Sequence, residues 1–193
     1  MHAWRHAELA FGALAIAMAL GVPLGVLASS MPPLRAPILG LAAIGRTLPS
    51  IALLMLLLPL LGVGTAPAVV ALTLLALAPI VINVELALSN VDRSALDAAT
   101  GLGMSPIDRF VRISIPLALP LAIAGVRTAS VEVIASATLA TFIGAGGLGD
   151  DIVRAMQTFD TPLLLASCVT VAGMAWVAEF AFTRLASRLE TAR

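Results

Sequence analysis

The chain has 193 residues, 60% of them hydrophobic and 11% charged, with a formal net charge of zero and a mean hydropathy of +1.06. Soluble domains carry about 25% charged and about 45–50% apolar residues, so this composition excludes an ordinary water-soluble fold and reads as an integral membrane protein. The balanced total charge says nothing about nucleic acid or acidic partners, the single Cys168 excludes an intrachain disulfide, and eleven arginines with no lysine exclude both the GxxxxGK[ST] nucleotide loop and Schiff-base chemistry.

About 20 mostly apolar residues cross a bilayer core as a helix. The first such window is 9–27, which is free of charge. The second lies within 38–61 and carries Arg46; the third, 69–88, contains Pro79 as an expected kink. A polar stretch over 89–114 follows, then a fourth window at 117–143, interrupted by Arg127 and Glu132, and a fifth at 162–183. Five helices and no strand candidate predict an all-α polytopic membrane protein forming one domain over 1–193, since only helices or closed barrels satisfy their backbone in lipid.

With five spans the loops alternate between sides. One side receives Arg35, Arg46, Arg93, Arg109, Arg112, Arg184, Arg188 and Arg193, the other only Arg5 and Arg154. The arginine-rich side is expected to be cytoplasmic, with the N-terminus outside and the C-terminus inside. Arg5, just ahead of the first span, argues the other way, as in the charged leader of a signal peptide.

After the fourth span, "FIGAGGLGDD" (142–151) contains both G-x-G-x-x-G and G-x-G-D. A dinucleotide turn needs a preceding strand and an acid about 20 residues on, and neither is present. An intramembrane aspartyl protease needs a second aspartate in another span, and no span core supplies one. The only histidines, His2 and His6, lie at the N-terminus, so no catalytic residue, metal site or cofactor is expected.

The loop at 89–114 is more informative. Ser94 and Asp97 have capping-box spacing, while Ser105, Pro106 and Asp108 mark a second helix start; the two meet near Gly103, which permits a bend. Leu96, Ala99 and Leu102 share one face of the first helix. Such a hairpin suits docking into a partner's groove or lying on the lipid interface.

Within this loop stand Asp97, Ala98 and Ala99, then Gly103 after three residues, then Ile113-Ser114-Ile115-Pro116 after nine. The pattern resembles the E-A-A, three residues, Gly, nine residues, I-x-L-P signature of permeases of bacterial ATP-binding-cassette importers, with Asp97 for Glu and Ile115 for Leu. "RTLPSIALLMLLLPLLGVG", the glycine-rich segment and "DTPLLLAS" resemble the branch that imports glycine betaine, choline and carnitine. A related GGLGD occurs in methionine-importer permeases.

The resemblance implies a permease that meets a separate ATP-binding subunit through Asp97, Ala98, Ala99, Gly103, Ile113 and Pro116. It also implies a second permease copy or paralogue and an extracytoplasmic substrate-binding protein, in a bacterial inner membrane. Gly144, Gly146, Gly147 and Gly149 would then form a tight turn near the outer end of the pathway. Arg127 and Glu132, five apart and awkward for a bond within one helix, are expected to line the pathway or pair across helices or subunits, with Glu85 as the alternative partner of Arg127. For Glu85 and Glu179, near span ends, snorkelling to the interface is the simpler reading. A secondary carrier using Arg127 and Glu132 as a charge relay is the competing class.

Overall fold

The computed structural model describes residues 2–191, and Arg193 lies outside the described residues. These residues form helices throughout: α1 (His2–Ser30), α2 (Pro32–Thr47), α3 (Ser50–Leu61), α4 (Thr65–Ser89), α5 (Arg93–Gly101), α6 (Pro106–Arg109), α7 (Ile115–Ser136), α8 (Leu148–Thr158) and α9 (Thr161–Thr191). A π-helical stretch, Phe110–Ser114, joins α6 to α7, and a 3₁₀ stretch, Ala137–Ile143, continues α7. Four helical stretches are long and apolar enough to cross a membrane; α2 and α3 together would make a fifth span, bent by 101°.

The central helix is α4, with α1 and α7 packed along it and α9 packed outside α7. Water drives little association between helices in lipid, so contact must come from close packing, which small residues permit. On α1 the buried residues Ala10, Ala13, Ala17, Gly21, Gly25 and Ala28 form one stripe. A Cβ at Gly25 would lie 2.6 Å from Val84 Cβ, and one at Gly21 would lie 2.9 Å from Ile80 Cγ2. Across the other face of α4, a Cβ at Gly125 of α7 would lie 2.5 Å from Asn83 Cβ and 2.6 Å from the Pro79 carbonyl oxygen. The outermost helix differs. On α9 only Ser167 and Ala178 are buried among the described side chains, and an outward ladder of Trp176, Phe180 and Arg184 stacks at ring separations of 5.7 Å and a cation-to-ring distance of 4.4 Å.

Three features refine the sequence reading. The window at 38–61 is not one continuous helix: Pro49 forces the preceding Leu48 out of the helical region, to φ −78°, ψ 126°, and the chain turns there. The helix that holds the window at 117–143 begins earlier than the window, the helical rod being continuous over Pro106–Ile143, 38 residues. Pro116 does not break it, since proline in a first helical turn forfeits no needed N–H, and the π turn just ahead closes with Ile115 N–H donating to Phe110 O. Residues 148–158, which lie outside every apolar window, form a separate amphipathic helix, α8.

The α4–α7 seam has a direct test. Gly125→Ala should destabilise the detergent-solubilised protein by about 1–3 kcal/mol through overpacking. Gly12→Ala, whose added methyl meets nothing within 4 Å, should be neutral or stabilising by up to about 1 kcal/mol. Thermal unfolding followed by circular dichroism separates the two, and equal shifts would refute the seam.

Candidate functional site

The helical bundle has two differently built ends. At one, α4 ends at Ser89 and leads into α5, and α6 starts the rod that becomes α7. Asp92, rather than Ser94, is the N-cap of α5: its carboxylate accepts from the Ser94 amide at 2.9 Å and from the Ser94 hydroxyl at 2.6 Å. The expected Ser94–Asp97 box therefore does not form, because the aspartate two residues before Ser94 takes its hydroxyl. The Ser94 hydroxyl, and secondarily its amide, hold the Asp92 carboxyl below the ordinary carboxylate range. By linkage, this cap contributes stability above that range and loses it only as pH falls through the depressed value. The Asp92 cap is thus insensitive to pH near neutrality.

Gly103 ends α5 at φ +78°. Its N–H donates to Thr100 O at 2.9 Å and the Met104 N–H donates to Ala99 O at 3.1 Å, the paired bonds of a Schellman cap that needs a left-handed residue. Ser105 caps α6 as expected, accepting from the Asp108 amide at 3.1 Å. Ala99 is buried and Leu96 half-buried, but Leu102 turns outward at the helix end and is 83% exposed, with Ile107 at 77%. Asp97 and Ala98 are exposed, and among the described residues Asp97 closes no hydrogen bond or ion pair. Ile113 is half-buried where the hairpin enters the rod, and Pro116 is exposed. The result is a rigid, doubly capped knob with apolar tips and a free carboxylate.

The glycine-rich segment sits at the opposite end. Gly144 (φ +72°) terminates the 3₁₀ stretch, and Gly146 (φ +81°) and Gly147 (φ +108°) carry the chain into α8. Gly149 plays another part: a Cβ there would lie 2.0 Å from the Thr138 carbonyl oxygen, so it permits contact rather than a turn. The start of α1 clasps this segment, which the sequence reading did not foresee. Arg5 donates to Ala145 O at 3.3 Å and also bonds Thr65. His2 pairs with Asp151 at 2.7 Å. The fully buried His6 has Nε2 at 3.0 Å from Ile134 O and thus donates through it, leaving Nδ1 beside Gly147 without a hydrogen-bond partner. Asp150 accepts from Thr141, tying α8 back to the 3₁₀ stretch.

The charges at membrane depth find partners other than those expected. Arg127 pairs within the chain with Glu179 of α9 at 3.4 Å and donates to Thr183 at 3.3 Å. Within the chain α7 turns it toward the α9 groove, lined also by Pro120, Phe182 and Ser187, and not toward Glu132 or Glu85. Glu179 is thus engaged by Arg127. Glu85 points inward instead: it is 3% exposed and holds Arg35 at 2.8 Å and the Ser89 hydroxyl at 2.6 Å. That triad fastens the beginning of α2 to the last turn of α4, just ahead of the hairpin. Arg46, counted with the hairpin-side arginines, belongs instead at the far end of α2, where its charge acts on Glu132. Arg35, Arg93, Arg109, Arg112, Arg184 and Arg188 still mark the hairpin end, while Arg5 and Arg154 mark the other.

Comparison with known proteins follows this geometry. A family model described as "Binding-protein-dependent transport system inner membrane component" matches residues 21–192. The chain is 37% identical to the carnitine transport permease protein OpuCB of Listeria monocytogenes, over 96% of this chain and 85% of that one. It is 35% identical to the glycine betaine/carnitine/choline transport system permease protein OpuCB of Bacillus subtilis (strain 168), over 91% and 81% respectively. An inward-facing structure of the MetNI methionine ABC transporter superposes with TM-score 0.86 at 22% identity, covering 96% of this chain and 93% of that one, a likeness of fold.

The Arg35–Glu85 latch lends itself to a double-mutant cycle. Arg35→Leu strands a buried carboxylate and should cost roughly 3 kcal/mol of stability, and Glu85→Leu should also destabilise, by less since Arg35 can reach water. The double variant should recover much of the Arg35→Leu loss. Additive losses in thermal unfolding would show that the two residues act independently.

Proposed function

The chain belongs to the family of binding-protein-dependent transport system inner membrane components, and on that footing we propose that it is the permease subunit of an ATP-binding-cassette importer for glycine betaine, carnitine, choline or related osmoprotectants. The observation that carries the reading is the capped hairpin at 92–109, which offers Leu102, Ile107 and an unengaged Asp97 to a partner while being continuous with a membrane-crossing helix. Apolar tips around a charge suit a groove on a soluble ATPase better than a lipid interface, which would leave Asp97 without a role. Ala98, Ala99, Gly103, Ile113 and Pro116 then shape and brace the knob. With no lysine, the chain has no Walker loop of its own, so ATP hydrolysis falls to the partner.

The cargo class is supported by relatives whose names specify carnitine, choline and glycine betaine transport. The methionine transporter shares the fold at lower identity. Quaternary ammonium recognition favours aromatic cages, and a chain with no tyrosine and two tryptophans leaves high-affinity capture to a substrate-binding protein outside the membrane. A second copy or a paralogue of the permease completes the pathway. Gly144, Gly146, Gly147 and Gly149, clasped by the start of α1, form its outer end. Arg127, engaged with Glu179, is a brace between α7 and α9 in this reading, while Glu132 faces the pathway. The secondary carrier loses its motive, since Arg127 and Glu132 do not form a relay.

We expect the complex reconstituted with its ATPase and binding protein to take up glycine betaine, carnitine or choline only when ATP is supplied. Uptake driven by an ion gradient without the ATPase would overturn this reading.

The orientation, with the N-terminus and glycine segment outside and the hairpin and C-terminus cytoplasmic, follows the arginine bias. In a Cys168→Ala background, Met156→Cys on α8 should react with a membrane-impermeant maleimide in intact cells, whereas Ile107→Cys should react only after permeabilisation. The reverse pattern would invert the topology.

A further inference from the structure

The elbow between α2 and α3 sets a polar notch at depth in an otherwise apolar bundle. Helix α2 spans 16 residues from Pro32, or about 24 Å at 1.5 Å per residue, before the chain leaves helical geometry at Leu48 and Pro49. Non-helical backbone at such depth persists only where it is buried in protein or lines a wet cavity. The Ser50 hydroxyl, in the first turn after the elbow, meets the Ser136 hydroxyl of α7 at 3.2 Å. One turn before Ser136 along α7 stands Glu132, half-buried; four residues before Ser50, across the elbow in the last turn of α2, stands Arg46, exposed. Arg46 acts electrostatically on Glu132, yet among the described residues the two close no direct ion pair. The other charges at depth are engaged, Glu85 with Arg35 and Arg127 with Glu179.

A guanidinium and a carboxylate on the two elements that the Ser50–Ser136 contact joins, closing no pair with each other, are the complement of a zwitterion. We infer that Arg46, Ser50, Glu132 and Ser136 form a transit subsite for cargo carrying both a carboxylate and a fixed quaternary cation. This rests on the importer reading above and narrows its substrate class. Arg46 takes the cargo carboxylate through paired N–H donors. Glu132 faces the trimethylammonium group, which has no N–H to donate, so that contact is charge and dispersion alone. Such a site holds cargo firmly enough to orient it and weakly enough to release it, as a passage requires. A cation without a carboxylate, such as choline, uses only the Glu132 half. Each charge is costly in lipid unless paired or wet, and the cargo supplies both missing partners at once.

The test uses the complete complex in liposomes, with ATPase and cargo-saturated binding protein, and compares initial uptake of glycine betaine, carnitine and choline. Arg46→Gln should lower uptake of both zwitterions at least tenfold and leave choline within about twofold. Arg46→Lys should restore part of the loss, and Glu132→Gln should lower all three. The ATPase rate stimulated by the binding protein should stay within about twofold in Arg46→Gln, separating a cargo contact from a folding defect. Equal loss of choline and zwitterions in Arg46→Gln, unchanged zwitterion uptake, or a wild type that carries choline but neither zwitterion would each overturn the subsite. ATP-independent behaviour of the wild type, or no uptake of any of the three, would instead overturn the importer reading beneath it.

Discussion

Close approach of helix backbones along α4 is the constraint on which the rest depends. Where a glycine of α1 or α7 meets α4, a single methyl would stand within 2.6 Å of a neighbouring atom at Gly25 and within 2.5 Å at Gly125. Lipid offers helices no hydrophobic reason to associate, so the stability of this core comes from dispersion and fit. The fit fixes the angle and depth of α1 and α7 relative to α4, and these two helices carry almost everything of functional interest. The start of α1 clasps the glycine segment, and α7 carries Glu132, Ser136 and Arg127. A core built of bulkier residues would hold the same helices farther apart and leave both ends without their contacts.

Charge is rationed within that frame. Burying Glu85 is tolerable because Arg35 and Ser89 answer it, and the same arrangement ties α2 to the end of α4 next to the hairpin. Arg127 and Glu179 do similar service between α7 and the loosely covered α9. The hairpin keeps its Asp92 cap ionised across neutral pH. Its signature carboxylate, Asp97, stays outside every local bond, with capping assigned to Asp92 and Ser105.

The apolar helices were legible because they follow from runs of apolar composition, and the hairpin because serine caps, a proline at a helix start and a bend glycine are local signals. The elbow was signalled by Leu48-Pro49, but a long apolar window averages over a two-residue break. Helix α8 also had a sign, two aspartates in its first turn that favour a helix N-terminus, masked by reading the glycines as one turn. Gly149 shows the limit of motif reading: its use is contact with the Thr138 carbonyl, and no spacing rule reveals a contact across elements. The partner of Arg127 was illegible for the same reason. Helical periodicity ranks neighbours on one helix and is silent about which residue of a distant helix comes alongside.

The hairpin's second arm is the first turn of a rod that runs without interruption from Pro106 to Ile143. At 1.5 Å per residue its 38 residues reach about 57 Å. A rod of that length is a lever: tilting it by only about 5° about its hairpin end sweeps the far end through roughly 5 Å, close to the width of a trimethylammonium group. The glycine segment at the far end need not be soft for that end to part, because the amplification is geometric. Mechanical work delivered as a small rotation at the hairpin end arrives at the glycine end as a displacement of molecular size.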